Sequence, residues 1–133
     1  MQFKTISVST RQRCQMLDVT REAEAFVRDC GIRDGRLTLF VPHTTAAVTI
    51  NENADPDVVT DMLSGLAKLA PRDAGYRHAE GNSDAHIKSS LVGCSQNVLV
   101  QDGRLLLGTW QGIWFCEFDG PRTRKLVLGV ASC

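Results

Sequence analysis

Two polar segments of the sequence carry all three histidines. The longer segment runs from residue 77 to 93 and holds His78 and His86, with polar residues between and after them. The shorter segment begins at His43 and ends in a polar triplet at residues 51 to 53. A dense polar loop contributes little to a core, and such loops are typical of binding and catalytic sites. We therefore expect the fold to bring the two segments together.

Metal binding is one chemistry that these histidines allow. Three protein ligands and one exchangeable position are the minimum of an open catalytic metal site. Nearby carboxylates could act as a further ligand or orient a ring; they belong to Glu52, Glu80 and Asp84. The spacing from His78 to His86 is not that of a helix-face pair. Surface histidines that are hydrogen-bonded to the backbone are the alternative, and the residue types alone leave both open.

Anion binding is a second chemistry of the longer segment. Lys88, Ser89 and Ser90 could place an ammonium and two hydroxyl groups around a phosphate. A helical turn that begins near His86 would add the favourable partial charge of its N-terminus. Cys94 follows this segment, but no Gly-x-Ser-x-Gly elbow accompanies it and nothing in the sequence activates its thiol.

Two arginines in the segment Asp-Gly-Pro-Arg-Thr-Arg offer further donors for an anion. Arg122 and Arg124 carry guanidinium groups that suit carboxylate or phosphate. The alternative is a solvated turn in which the arginines pair with Glu117 and Asp119. Taken singly, each arginine is explained better by that pairing than by a ligand.

Other polar and aromatic groups lie where predicted strands end. Trp110 and Gln111 stand between two glycines, where they could wall a pocket and bond its contents, or pack ordinarily beside a bulge at Gly112. Glu52 ends another strand and could act as a general base, or could help to cap the helix that follows.

The elements that must position these groups follow from periodicity. Alternation predicts strands at residues 3–8, 36–41, 46–50, 97–101, 104–110, 113–118 and 124–131. Helical spacing predicts one helix capped by Thr20 and ended by Gly31, and a second capped by Asp55 and stopped by Pro71. Asp102-Gly103 predicts a tight type I′ hairpin within a C-terminal meander. The pattern indicates an α+β fold, an antiparallel β-sandwich or barrel with two packed helices.

Composition limits the class of protein. The 133 residues are most simply one domain, residues 1–133. Fifteen basic and fifteen acidic side chains cancel, which argues against a nucleic-acid partner. Five cysteines without a CxxC pair are typical of reduced thiols in a cytoplasmic protein. No apolar run is long enough to span a membrane.

Four ordered blocks of the sequence resemble the YjbQ-like family, whose members are labelled secondary thiamine-phosphate synthases. The blocks begin at His43, Glu80, Gly108 and Asp119, and the likeness covers nearly the whole chain. The resemblance implies an α+β homotrimer with sites near subunit boundaries, and a divalent metal, zinc or magnesium, at the histidine cluster. The family pattern carries over onto His43, Asn51, Glu52, His78, Glu80, His86, Lys88, Trp110, Gln111, Arg122 and Arg124.

The resemblance also implies a reaction and a division of roles. The reaction couples a pyrimidine pyrophosphate to a thiazole phosphate, so the expected partner is a phosphorylated small molecule. The catalytic residues would be Glu52, His86 and Lys88, and the metal ligands His43, His78 and His86. Substrate would contact Asn51, Ser89, Trp110, Gln111, Arg122 and Arg124. A metal-dependent hydrolase and a non-catalytic trimer that binds a metal or an anion are the alternatives.

Overall fold

The computed structural model describes residues 1–133 and confirms an α+β fold with two antiparallel sheets. It has eight strands: β1 (Gln2–Ser9), β2 (Gln15–Asp18), β3 (Gly35–Phe40), β4 (Ala46–Glu52), β5 (Ser95–Gln101), β6 (Arg104–Leu105), β7 (Gln111–Glu117) and β8 (Thr123–Ser132). Three helices complete it: α1 (Thr20–Cys30), α2 (Pro56–Leu69) and α3 (Ser83–Val92).

The two sheets face each other across the main core. The first sheet has the strand order β1-β8-β3-β5-β6, and the second has the order β2-β7-β4. Seventeen buried apolar residues from both sheets and from α1 form this core, among them Leu37, Val48 and Phe115. A smaller cluster that includes Ala47, Cys116 and α3 residues packs on the other face of the second sheet. Helices α2 and α3 therefore cover that face.

The outer face of the first sheet has no covering layer. The side chains of Phe3, Phe40 and Leu99 belong to β1, β3 and β5 and are 70%, 45% and 59% exposed. The registers place them on the face that points away from the core, because their strand neighbours Leu37, Leu39 and Val98 are buried in the core. We call this surface the outer face.

Helix boundaries follow local chemistry at most ends. The Asp55 carboxylate accepts the Asp57 N–H at 2.9 Å, as predicted for the cap of α2. Gly31 ends α1 in the left-handed region at φ 68°, also as predicted. The prediction for Thr20 was wrong: Thr20 is the first helical residue, and Asp18 accepts its backbone N–H. None of the three helices has both the length and the apolar character that a bilayer crossing requires.

A third helix replaces the single helical turn that apolar residues suggested. Helix α3 spans ten residues, so the prediction of two helices was wrong. Its buried face consists of Asp84, Ala85, Lys88 and Ser89, three of which are polar. Polar residues on the inward face produce no apolar periodicity, which is why the sequence pattern did not indicate the helix.

The C-terminal strands do not form the predicted meander. The hairpin itself is confirmed, because Asp102 and Gly103 have the positive φ angles, 52° and 77°, that a type I′ turn requires. Its second strand ends at Leu105 rather than Trp110, since the chain leaves the first sheet there. Strand β7 then becomes the centre of the second sheet, where it pairs with β4 and with the short strand β2, which was not predicted.

Candidate functional site

A polar cleft lies at the end of the sandwich where β4 begins and β7 ends. Its volume is about 600 Å³. The β3–β4 loop, the β7–β8 turn and the beginning of α3 form its walls. The lining includes His43, Thr44, Thr45, Glu80, Asn82, His86, Cys94, Asp119, Arg122 and Arg124. The two histidine-bearing segments thus meet here, and we call this site the cleft.

Helix α3 is attached to the cleft through a serine. The hydroxyl of Ser89 donates to the carbonyl oxygen of Thr44 at 2.6 Å and also contacts the His86 carbonyl at 3.1 Å. The backbone of Gly93 accepts the Val48 N–H. These contacts hold His86 of α3 beside the loop that carries His43. The hydroxyl of Ser89, predicted to contact substrate, is used within the protein.

His43 is fixed by a backbone donor. Its Nε2 accepts the N–H of Lys125 at 2.9 Å. Burial and the nearby Arg124 cation lower its pKa below the ordinary value of 6.5. The ring is therefore neutral at pH 7, and a neutral imidazole that accepts at Nε2 carries its proton on Nδ1. His43 thus offers a hydrogen-bond donor rather than a free lone pair.

His86 stands between the other two histidines. It lines the cleft with His43, and it lines a neighbouring depression with His78. The His78 and His86 rings meet edge to face with centroids 5.6 Å apart. Neither ring nitrogen of His86 has a protein hydrogen bond, and Nε2 of His78 lies 3.7 Å from a Glu80 oxygen, which is too long for a hydrogen bond. Of the two histidines that line the cleft, His86 is therefore the one whose ring nitrogens have no protein hydrogen bond.

The three histidines do not fit a three-ligand metal site within one chain. No group of three or more His, Cys, Asp or Glu side chains is arranged to hold a metal ion. The lone pair that His43 would give to a metal is already used by the Lys125 N–H. A ligand role for His43 would require that hydrogen bond to break.

The floor of the cleft contains a buried ion pair. Arg124 is 4% exposed, and Nε and Nη2 of its guanidinium donate to the carboxylate of Glu117, which is fully buried. Nη2 also donates to the hydroxyl of Thr45 at 2.8 Å. Burial opposes ionisation of Glu117, but the bonds from Arg124 and Thr10 outweigh it and hold its pKa below the ordinary value.

A second, more open pair lies at the rim. Arg122 donates from Nε to the Asp119 carbonyl at 2.9 Å and from Nη2 to the Asp119 carboxylate at 3.0 Å. Nδ2 of Asn82 donates to the same carboxylate oxygen at 2.9 Å. Burial opposes ionisation of Asp119, but these bonds keep its pKa below the ordinary range. Oδ1 of Asn82 is the one buried side-chain atom without a partner.

Lys88 is turned into the protein. Its side chain is 4% exposed, and Nζ donates to the buried Asp84 carboxylate at 2.8 Å. Arg13 donates two further bonds of 3.0 Å to the same carboxylate. This network joins α3 to the β1–β2 connection. The geometry supports a structural role for Lys88, and a catalytic role stays a prediction.

The remaining predicted residues lie at the other end of β4. Asn51 and Glu52 end this strand, where Glu52 pairs with Gln111 of β7. A Glu52 carboxylate oxygen accepts the Asp55 N–H at 3.2 Å, and Gln111 accepts the Gly108 N–H at 2.8 Å. Trp110 is 63% exposed. The distance along β4 is about 20 Å, at about 3.3 Å per residue, so one chain does not bring this group to the histidines.

Three residues of the site had no sequence signal. Arg13 lies in a polar turn with nothing to indicate its buried partner, and Thr45 is a small polar residue in a loop. Asn82 belongs to the polar segment from residue 77 to 93, but nothing in the sequence indicated a role of its own. Glu117 and Asp119 were considered as partners of the arginines, and the structure places them as such. Homologous sequences that keep these residues unchanged would have been the signal that a single sequence lacks.

The fold and the cleft define a class: an α+β protein with two antiparallel sheets and a polar cleft at one end of the sandwich. The family model described as UPF0047 protein YjbQ-like matches residues 4–132. The chain belongs to this family.

Relatives and solved structures agree with that assignment. UPF0047 protein YugU from Bacillus subtilis is 57% identical over 127 residues, covering 95% of this chain and 96% of the relative. UPF0047 protein MJ1081 from Methanocaldococcus jannaschii is 49% identical over 98% of this chain and 94% of its own. A crystal structure of an uncharacterised conserved family protein from Clostridium acetobutylicum has a TM-score of 0.95 at 49% identity, covering 96% and 99% of the two chains. These names give a family and no activity.

Proposed function

We propose that this chain is an enzyme acting on phosphorylated small molecules, with thiamine phosphate synthesis as the nearest named reaction. In that reaction a pyrimidine pyrophosphate is coupled to a thiazole phosphate, and pyrophosphate leaves. The observation that carries the proposal is the set of groups in one cleft, where His43 and His86 stand with Arg122 and Arg124. The resemblance to secondary thiamine-phosphate synthases supports this choice of reaction.

Each group in the cleft has a role in such a transfer. The departing pyrophosphate gains negative charge as its bond to carbon breaks, and guanidinium groups stabilise that charge. The Nδ1–H of neutral His43 is a further donor. His86, whose ring nitrogens have no protein hydrogen bond, is the group left to move a proton at the leaving oxygen.

A divalent metal ion, zinc or magnesium, stays a prediction from the resemblance. Bound to pyrophosphate, such an ion would neutralise part of the leaving-group charge. The His43 lone pair is engaged by Lys125 and no three-ligand set is present in one chain, so the roles above do not depend on the ion. Assays of chelator-treated protein with and without added metal decide whether one is needed.

The test is a thiamine-phosphate assay on purified protein with both substrates. We expect His86→Ala to lower turnover by about a hundredfold or more. Arg122→Gln should raise KM for the phosphorylated substrates. Arg33→Gln, which changes an exposed arginine outside the cleft, is the matched control and should leave turnover unchanged. Full turnover in His86→Ala would contradict the site, and binding without any turnover would favour the non-catalytic alternative.

We also propose that the chain forms a homotrimer, as the resemblance implies. The uncovered outer face, with Phe3, Phe40 and Leu99 exposed, supports self-association. Phe40 also lines the cleft, so a copy seated on this face would border it. Light scattering should give three times the chain mass, and Phe3→Glu with Leu99→Glu should lower it. A monomeric wild-type mass would contradict the proposal.

A further inference from the structure

The two arginines of the cleft use the same two nitrogens, Nε and Nη2, to bind an acidic residue near the end of β7. Arg124 donates both to the Glu117 carboxylate, whereas Arg122 donates Nε to the Asp119 carbonyl and Nη2 to the Asp119 carboxylate. Glu117 accepts from Arg124, and Asp119 accepts from Arg122. In both cases Nη1 makes no hydrogen bond to the protein. The two pairs therefore leave the same amino group of each arginine uncommitted.

The uncommitted group of Arg124 is accessible. Every buried side-chain nitrogen or oxygen except Oδ1 of Asn82 has a hydrogen-bond partner. Nη1 of Arg124 has no partner, so it is not fully buried, although the whole residue is only 4% exposed. Arg124 lines the cleft, and Nη1 is the one nitrogen of its guanidinium without a protein hydrogen bond. The Arg122 side chain, 53% exposed, adds its own Nη1 at the rim. Each Nη1 carries two N–H donors, which suit the oxygens of a phosphate or pyrophosphate.

The acidic partners are themselves held rigidly. The Glu117 carboxylate also accepts the backbone N–H groups of Phe118 and Asp119 at 3.1 Å, and the Thr10 hydroxyl at 2.7 Å. Asp119 is held by Nδ2 of Asn82. The Glu117 carboxylate cannot turn without losing several hydrogen bonds, and the Asp119 carboxylate cannot turn without losing the bond from Asn82. The orientation of each guanidinium is thus fixed by the β7–β8 turn together with Thr10 and Asn82.

Two carboxylates beside an anion site oppose anion binding through charge alone. Their benefit must come from orientation, because a guanidinium held at one edge presents the other edge without losing side-chain freedom on binding. The charge of the carboxylate and its orientation of the guanidinium therefore change the affinity for an anion in opposite directions. Removal of a carboxylate strengthens anion binding if charge dominates and weakens it if orientation dominates.

We propose that Glu117 and Asp119 are positioning residues that orient the Nη1 groups of Arg124 and Arg122 into a two-arginine subsite for the phosphate or pyrophosphate of the substrate. The proposal rests on the proposed function for the identity of the anion. It assigns roles to two carboxylates that bind the arginines rather than the anion. It also explains why a buried acidic residue stands behind a site for an acidic ligand.

The experiment is a calorimetric titration with inorganic pyrophosphate at constant ionic strength. The variants are Glu117→Gln, Asp119→Asn and the matched control Asp102→Asn. Asp102 accepts from Arg33 at 2.8 Å on the surface, so the control makes the same change of charge outside the cleft. We expect about tenfold weaker binding in Glu117→Gln, a smaller loss in Asp119→Asn and no change in the control. Thermal melts establish which variants are folded.

Every outcome decides the proposal. Equal or tighter pyrophosphate binding in a folded Glu117→Gln or Asp119→Asn protein would overturn it and leave the proposed reaction standing. Should Glu117→Gln not fold, Asp119→Asn decides alone. Absence of pyrophosphate binding by the wild-type protein would overturn the subsite. The expected losses of binding, found in a protein without turnover on any substrate pair, would support the subsite and reject the proposed reaction.

Discussion

Nε2 of His43 accepts the backbone N–H of Lys125 at 2.9 Å, and this bond determines where the imidazole carries its proton. Lys125 follows Arg124, so the same stretch of β8 holds the histidine and the buried guanidinium. The cleft therefore contains a neutral N–H donor next to two cations. A backbone bond of this kind does not depend on the identity of the side chain at position 125.

The first prediction concerns the protonation of His43. Burial and Arg124 lower its pKa, so we expect a titration midpoint below 6.5 and the Nδ1–H tautomer at pH 7. Nitrogen-detected NMR of the imidazole measures both. Because the unfolded chain binds this proton more readily, the His43 contribution to stability is complete above pH 6.5 and is lost as the pH falls below it. A midpoint above 6.5 or an Nε2–H tautomer would contradict the geometry.

The second prediction concerns the buried network of α3. Burial opposes ionisation of Asp84, but hydrogen bonds from Arg13 and Lys88 keep its pKa well below the ordinary value. Asp84→Asn should lower the free energy of unfolding by roughly 3–5 kcal/mol, because it leaves two cations without their carboxylate. Urea denaturation at pH 7 measures the loss. The loss should shrink as the pH falls below about 4, where the wild-type protein also loses this contribution.

Lys88→Met is the comparison for Asp84→Asn. It removes the ammonium but leaves the Asp84 carboxylate with both bonds from Arg13. We expect a smaller loss of stability, about 1 kcal/mol. The same variant tests the predicted catalytic role of Lys88: unchanged turnover in a folded protein would reject it.

The third prediction concerns the five thiols. Burial raises the pKa of Cys116 to about 12, so this thiol should react with a disulfide reagent only after unfolding. Cys94 and Cys133 are exposed and should react first. Cys94 lines the cleft, so pyrophosphate should slow its reaction and leave that of Cys133 unchanged. Mass spectrometry of labelled peptides separates the two rates, and equal slowing of both would contradict this placement.

The fourth prediction compares two glycines. A methyl group on Gly120 would come within 2.8 Å of Glu117 Cγ and 2.9 Å of Thr10 Oγ1, so Gly120→Ala should destabilise the protein by about 1–3 kcal/mol. Gly65 lies in α2 with open space around it, so Gly65→Ala should stabilise the protein by up to about 1 kcal/mol. Thermal melts of both variants give the two signs. A destabilised Gly65→Ala protein, or a Gly120→Ala protein as stable as wild type, would contradict the packing that the structure shows around these glycines.

The elements with strong local chemistry could be predicted from the sequence. Asp55 with Pro56 began a helix, and Asp102-Gly103 made the expected turn. Helix α3 could not be predicted, because three of its four buried side chains, Asp84, Lys88 and Ser89, are polar and are held by ion pairs or hydrogen bonds. The exit of β7 to the second sheet also had no signal, since alternation within a strand does not reveal its sheet partner. The cytoplasmic location and the absence of nucleic-acid and membrane partners stay predictions.

The residue types of the site could be predicted, but not which of the residues lie close together. His43 and His86 meet as the sequence suggested, because the β3–β4 loop and α3 lie side by side. Glu52 and Trp110 were expected nearby and lie at the other end of β4. Residues at the two ends of one strand are close in the sequence. They are far apart in space, because the backbone of a strand is extended.

That separation along β4 affects how inactive variants would behave when mixed. About 20 Å of β4 lies between the end that carries the cleft and the end beside Trp110, so we expect a reaction that needs both His86 and Trp110 to draw them from different copies. Trp110→Ala and His86→Ala proteins, each inactive alone, would then regain activity when unfolded and refolded together, because some mixed assemblies would contain an intact pair. Recovery of activity in the mixture would thus indicate a site that is shared between copies.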